Sequence, residues 1–304
     1  MGAHSTSIAA RAFFVINPVS GGGKTSRLWP AVKDRFSRQG FQVGFALTSK
    51  RGDGVDLARR AALDGWPLVV AVGGDGTVNE VVNGLATART PAALGILSAG
   101  RGNDCRRNFN LPSRLSLALE RLLGGRDVPI DVGLAEWPDG RRRHFVMSLG
   151  AGFDAAVAAR AERSRGSRGA PYVRAILGTL WAYRPSPATI RVDERVHSSG
   201  PIIAAVVANG PYYGQGMKIA PTADPHDGVL DLVVLGNLGR VELLRWLPTV
   251  YGGRHLANPK VSTARGRTVS IDAPVPLPIH VDGEPCGETP VRVSIRPGAL
   301  RLRV

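Results

Sequence analysis

The residues best suited to do chemistry sit in three glycine-rich loops. VVAVGGDGTVNEVVNG (residues 69–84) places three glycines, Asp75 and Thr77 within five residues, between an apolar run and a helical pattern. Glycine lets a backbone approach a phosphate closely, and a following helix points its free N–H groups at the anion. Thr77 and Asn79 add side-chain hydrogen bonds. Asp75 repels phosphate, so it fits only if it faces a metal ion or orients the loop's amides. The same residues also read as a tight turn capping a helix, because short glycine motifs are shared by many loops. SGGGKT (residues 20–25) ends as a P-loop does, in Gly23, Lys24 and Thr25. A P-loop needs glycine at position 18, where this chain has Pro18, which has no N–H to donate. The strict P-loop is excluded; a phosphate-facing turn with Lys24 as a charge is not. LGILSAGRGNDCRRNF (residues 94–109) offers Gly100, Gly102, Asn103 and Asp104 beside Arg101, Arg106 and Arg107. By itself it reads as a polar loop with a solvated basic face.

Each loop follows a strand signal. Residues 12–16, 41–47, 68–72 and 94–97 are β-prone, and the fully apolar run at 68–72 suits a strand buried in a parallel sheet. Helical patterns run from Leu28 toward Gly40, over residues 55–63, through Val78, Val81, Val82 and Leu85, and over residues 115–123. Alternating strands and helices imply an α/β domain with a parallel sheet. The character changes near residues 129–131. Short strand-like segments follow at 144–149, 190–192, 202–208, 230–235, 269–271, 277–281 and 291–295, with helical patterns at 155–161, 172–183 and 241–251. This predicts a mainly antiparallel β domain over residues 131–290, after an α/β domain over 1–130. The β-prone tail, 291–304, is expected to return to the first domain.

The chain of 304 residues is 43% hydrophobic and 21% charged, a composition of a globular protein with room for two domains. Its longest uncharged apolar run, residues 201–208, is too short to cross a bilayer. No signal peptide is expected, since Arg11 interrupts the first apolar stretch, and MGAHST is read as an ordinary start although it fits a myristoylation pattern. Two cysteines, Cys105 and Cys286, make no disulfide framework and point to a reducing cytoplasmic compartment. Of 39 basic residues only five are lysine, against 24 acidic ones, for a net charge of +15. Such a surface favours polyanions: nucleotide phosphates, nucleic acid or an anionic membrane face. No helix-turn-helix, zinc-finger or aromatic RNA-binding motif singles out a specific nucleic acid.

Together the motifs resemble the catalytic domain of the diacylglycerol kinase family, which includes sphingosine kinases and bacterial lipid kinases. The matching features are NPVSGGGK (17–24), GGDGTVNEVVNG (73–84), GRGND (100–104), GFDA (152–155), NGPYYGQGMKIAP (209–221), ADPHDGVLD (223–231) and VDGE (281–284). They span nearly the whole chain in order. The resemblance implies a nucleotide-binding α/β domain followed by a β-sandwich-like domain, with ATP in the cleft between them. It implies nucleotide contacts from Asn17, Pro18, Val19, Ser20 and Gly21, from Thr48, and from Gly73, Gly74, Asp75, Gly76, Thr77, Val78 and Asn79. Arg101 and Asp104 belong to the third loop of that pocket. The γ-phosphate would pass to a lipid hydroxyl, such as that of diacylglycerol, in phospholipid metabolism.

For VDGE the resemblance places the proton acceptor at Glu284, with Asp282 close by to orient the hydroxyl or bind Mg²⁺. From the residues alone, Asp282-Gly283 is a hairpin turn, and a turn presenting two carboxylates satisfies both readings. ADPHDGVLD resembles the family's second magnesium site, with ligands Asp224, Asp227 and the carbonyl of Val229; a β-turn at Asp227-Gly228 is the plainer reading. His226 is expected to be a solvated turn residue.

Two positions depart from the family pattern. Arg101 stands where a threonine that contacts the nucleotide is usual, and Met147 where asparagine is common. A permanently charged guanidinium either grips a phosphate or fills the pocket. Cys105 and Cys286 flank Asp104 and Glu284 in sequence, which suggests thiol-sensitive activity. Residues 159–185 join a basic cluster to a helix bearing Val173, Ile176, Leu177, Leu180 and Trp181, a pattern of either a core helix or a membrane-surface one. A peripheral, membrane-associated lipid kinase is the expected protein; an NAD-kinase-like enzyme and a nucleotide- or lipid-binding pseudokinase are the rivals.

Overall fold

The computed structural model describes residues 10–100, 102–163 and 171–304. Contacts divide them into two units, one holding residues up to 100 with Leu111–Pro129 and Leu300–Val304, the other Gly102–Asn110 and Ile130–Ala299.

The first unit opens with β1 (Arg11–Ile16), α1 (Ser20–Arg38), β2 (Gln42–Leu47), α2 (Asp53–Leu63), β3 (Leu68–Gly73), α3 (Asp75–Ala88) and β4 (Ala93–Ser98). All three pairings in the order β2-β1-β3-β4 are parallel. Every residue of β3 is buried, as an interior parallel strand requires. On α1 the helical spacing turns Trp29, Val32 and Phe36 inward, where the rings of Trp29 and Phe36 meet Phe14 of β1 at 5.0 and 4.9 Å. The chain passes through a five-residue helix of the second unit, α4 (Asp104–Asn108), and returns as α5 (Leu115–Gly124).

The second unit continues with β5 (Asp127–Glu136), β6 (Arg142–Phe145), β7 (Ser148–Gly152), α6 (Phe153–Arg163), α7 (Pro171–Ala182), β8 (Ser186–Val192), β9 (Arg195–Ile202), β10 (Ala204–Ala208) and β11 (Leu230–Leu235). After α8 (Arg240–Trp246) and two 3₁₀ turns come β12 (Val261–Gly266), β13 (Thr268–Asp272), β14 (Pro278–Val281), β15 (Glu284–Glu288) and β16 (Val291–Arg303). One antiparallel sheet runs β12-β11-β10-β7-β14-β15, and β16, β13, β8 and β9 form a second antiparallel run. Leu149, Val207, Leu232 and Ile279 of the first share a core with Ile190, Ile271 and Val293 of the second, the packing of a β-sandwich. The last residues of β16 pair in parallel with β4, Arg301 opposite Ala93 and Leu302 opposite Leu94. The protein is therefore a mixed α/β chain, with a parallel-sheet unit followed by an antiparallel one.

Three expected elements are corrected. The run 144–149 is two strands: Val146 and Met147 give their N–H groups to the Asp282 carboxylate instead of a neighbouring strand. The run 202–208 breaks at Ile203, because β9 pairs with β8 while β10 pairs with β7 and β11 of the other sheet. The helix over 241–251 ends at Trp246 and tightens to 3₁₀, since Pro248 lacks the N–H and disfavours helical geometry before it.

Candidate active site

In the first unit β1, β3 and β4 run parallel, so the loops leaving them emerge at one edge of the sheet. Asn17 N–H donates to Val72 O at 3.0 Å, Thr48 N–H to Ile16 O at 2.9 Å and Ala99 N–H to Gly73 O at 2.8 Å, which ties each loop to a neighbouring strand. Asn17 Nδ2 donates to Thr77 Oγ1 at 3.3 Å, and Val19 N–H donates to Asn17 Oδ1 at 3.2 Å. Gly21, Gly22 and Gly23 all have positive φ, and a Cβ on Gly21 would collide with the Ala99 carbonyl oxygen. Gly74 lies so close that its Cβ would stand 3.4 Å from Gly100 Cα and 3.6 Å from Ser20 Oγ. The three glycine loops therefore converge, with the open N-terminus of α3 beside them.

Residue by residue, the expected nucleotide contacts divide. Asn17, Pro18, Ser20, Gly74, Asp75 and Gly76 are half-buried at that edge, and Val19 and Gly21 are exposed. Val78 and Asn79 are buried, Asn79 Oδ1 accepting from Asn83 Nδ2 at 3.2 Å, so only their backbone faces the loop edge. The loop after Thr48 is fixed by two carboxylates that the sequence did not single out. Asp53 accepts from Ser49 N–H at 2.8 Å, Ser49 Oγ at 2.6 Å and Lys50 N–H at 2.9 Å, bonds that hold its carboxyl below the usual range. Glu80 accepts from Gly52 N–H at 2.7 Å and Gly54 N–H at 2.9 Å. A helix-start Asp is a readable signal; Glu80 acts across 26 residues or more and had none. Arg101 lies outside the described residues.

Asp104 belongs to the second unit. It is buried, accepts from Gln215 N–H and Arg107 Nη1 at 2.7 Å each, and binds the NGPYYGQG segment to α4. Burial pushes its carboxyl up, against the lowering effect of these bonds. Asn108 clasps the same segment, accepting from Tyr212 N–H at 2.7 Å and donating to Tyr212 O at 2.8 Å.

VDGE forms the turn between β14 and β15. Asp282 and Gly283 have φ of 49° and 81°, as a two-residue type I′ hairpin requires. Asp282 is buried and accepts three backbone N–H groups, from Val146 at 3.2 Å, Met147 at 2.9 Å and Ser148 at 3.0 Å. Such a carboxylate anchors the turn. Glu284, next to it, is half-buried. The side of the turn is set by a pair the sequence reading missed: His280 Nε2 meets Asp154 Oδ2 at 3.1 Å, both buried. Gly283 N–H donates to His280 Nδ1 at 3.3 Å, so the neutral ring carries its proton on Nε2, toward Asp154. Tyr213 stacks on the ring at 5.8 Å, and a methyl at Gly150 would strike both members of the pair. GFDA thus supplies Asp154 to the DGE turn across 126 residues.

Asp154 also lines an apolar pocket with Phe153, Val157, Ile176, Leu243 and Trp246, partly open to solvent, with an internal volume of about 50 Å³. Burial pushes the pKa of His255 in its wall down, against the opposing effect of its contact with Ile219 O, 3.0 Å from Nε2.

The expected magnesium loop is differently employed. Asp227 accepts from Val229 N–H at 3.1 Å and is ion-paired with Arg265, which also meets Asp231 Oδ2 at 3.2 Å. Asp224 accepts from His226 N–H at 3.1 Å. Among the described residues no cluster of three or more His, Cys, Asp or Glu side chains is arranged to hold a metal. Arg265 already neutralises Asp227 and Asp231, and the Asp224 carboxylate is turned to the His226 N–H, so Asp224, Asp227 and the Val229 carbonyl do not fit a resident ion in this arrangement. Cys105 is buried and Cys286 half-buried.

The family profile described as the diacylglycerol kinase catalytic domain matches residues 11–135, and the YegS C-terminal NAD kinase beta sandwich-like domain matches residues 147–304. The chain belongs to the diacylglycerol kinase-like lipid kinases, a family that uses ATP. A diacylglycerol kinase of Mycobacterium tuberculosis is 32% identical over 94% of this chain and 92% of its own. One from Staphylococcus carnosus is 26% identical over 92% of this chain and 90% of its own. A solved diacylglycerol kinase structure from Bacillus anthracis, 19% identical, matches with a TM-score of 0.74 over 98% of this chain and 97% of that one, a likeness of fold.

Proposed function

We propose that this chain transfers the γ-phosphate of ATP, taken as its magnesium complex, to the hydroxyl of a membrane lipid of the diacylglycerol type. The observation that carries this reading is the apolar cavity with Asp154 in its wall, joined through His280 to the turn that bears Glu284. The apolar lining suits part of an acyl chain, and the Glu284 carboxylate on the adjoining turn suits a hydroxyl at the end of it.

In this reading the converging loops around Asn17, Ser20, Gly21, Thr48, Gly74 and Thr77 hold the phosphates by backbone N–H groups and hydroxyls. Asp104 keeps its loop in place through Gln215 and Arg107. Glu284 accepts the hydroxyl proton as the lipid oxygen bonds to the γ-phosphorus and the bond to the ADP oxygen breaks. Asp282, saturated by three N–H groups, and the His280–Asp154 pair fix the direction of Glu284. Phosphoryl transfer asks mainly for such positioning and for charge neutralisation.

Incubation with γ-labelled ATP, Mg²⁺ and a panel of lipid alcohols in mixed micelles tests the reading. One labelled lipid, with label lost in Glu284→Gln by a factor of ~10² or more, supports it and names the acceptor. No labelled lipid while ATP still binds points to a pseudokinase. Full activity in Glu284→Gln removes that residue from the base role.

A further inference from the structure

Four exposed apolar side chains lie on two adjoining helices of the second unit: Leu177 (43% exposed) and Trp181 (71%) on α7, Val241 (82%) and Leu244 (49%) on α8. The spacing i, i+4 on α7 and i, i+3 on α8 puts each pair on one helix face. Arg240 joins the helices, its Nη2 donating to Trp181 O at 2.7 Å and its guanidinium lying 5.7 Å from the centre of the Trp181 ring. The opposite faces are buried: Ile176, Leu180 and Leu243 share one core cluster, and Ile176 and Leu243 line the apolar cavity. Arg174, Arg184, Arg240 and Arg245 are exposed around the apolar residues. The acidic residue of α8, Glu242, is neutralised by Lys260 at 2.7 Å.

We propose that this face of α7 and α8 docks on an anionic bilayer, with Trp181 and Val241 entering the headgroup layer and the arginines meeting lipid phosphates. Contiguous exposed apolar side chains mark an interaction site, and tryptophan with flanking arginine is the composition of a membrane interface. The charge decides for a membrane over another protein: a chain of net charge +15, with this patch rimmed by arginine, is complementary to an anionic leaflet. Neither helix spans: among the described residues no helix is long and apolar enough to cross a membrane. Docked by their outer faces, the helices would hold the pocket they line close to the lipid layer, a purpose that rests on the lipid-kinase reading.

Co-flotation with vesicles reads the docking without any turnover. The full chain is mixed with phosphatidylcholine vesicles, with and without about one third phosphatidylglycerol. Expected are binding to the anionic vesicles and a loss of ~10-fold or more in Trp181→Ser/Val241→Ser, whose apolar contact is gone. Arg174→Gln/Arg245→Gln should weaken binding and flatten its dependence on salt. Both variants should melt as the wild type does and phosphorylate micellar lipid at the wild-type rate, since none of these four residues touches the cavity. Binding unchanged by the serine pair overturns the proposal in favour of generic arginine charge. A wild-type dimer by light scattering that the serine pair makes monomeric overturns it in favour of self-association. A chain that floats but phosphorylates no lipid leaves the docking intact and sinks the kinase reading; the reverse result sinks only the docking.

Discussion

At the residue scale, the Asp154–His280 pair makes the sharpest claim. His280 offers an acceptor to Gly283 N–H and a donor to Asp154, and two substitutions separate these. His280→Asn keeps an acceptor near Nδ1, while His280→Phe keeps the stack on Tyr213 and loses both bonds. If the Gly283 N–H bond to His280 aims the turn, His280→Phe lowers kcat by ~10-fold or more with KM for ATP unchanged, and His280→Asn retains most activity; loss in both variants would assign the aim to the bond with Asp154. Hydrogen exchange at residues 282–284 should rise in the phenylalanine variant alone; equal exchange in both variants would remove the positioning role of the Gly283 bond. Arg265 supports a second prediction. Asp231, buried between Thr222 and Arg265, loses its cation in Arg265→Met, at a cost of about 1 kcal/mol once solvent screening of the exposed guanidinium is allowed for. Because arginine already supplies the positive charge, EDTA without nucleotide should leave the wild-type melting temperature where it was. A wild-type melt that drops in EDTA would restore the case for a resident ion.

At the element scale, the edge proposed to bind nucleotide depends on how closely loops from β1, β3 and β4 approach. Gly21 holds a φ of 61° beside the Ala99 carbonyl, so Gly21→Val adds both backbone strain and a collision. Titration of the folded variant with ATP should give a dissociation constant raised ~10-fold or more, and the free protein should melt lower, in keeping with ~1–3 kcal/mol of strain. An unchanged constant would mean that the three loops do not share a ligand. The strands behind these loops were readable because a buried parallel strand needs an unbroken apolar run, and residues 68–72 are one. The breaks at 146–147 and 203 were not readable. Each is a place where backbone groups bond to a distant residue, Asp282 in one case and a second sheet in the other.

At the scale of the whole molecule, stability in acid is a further test. His144 is held neutral, its pKa lowered to about 4 from 6.5 by burial and then by the charges of Arg296, Arg142 and Arg143. The unfolded chain takes up this proton near 6.5, the folded one only near 4. The contribution is therefore full above 6.5 and is lost as pH falls toward 4, up to about 3 kcal/mol as an order of magnitude. Melting curves of His144→Gln should fall less steeply than wild type over that window; parallel curves would mean the histidine is already protonated in the fold. The sequence alone determined the two classes of sheet, the glycine loops and the DGE turn. Each rests on interactions within a few residues: strand periodicity, positive φ, and the chemistry of a two-residue turn. Only the tertiary structure decided that His280 pairs with Asp154, that Glu80 holds the loop after Thr48, and that Arg265 stands against the acidic loop. Those partners lie between 26 and 126 residues apart, and no local propensity records which buried charges a fold will bring face to face.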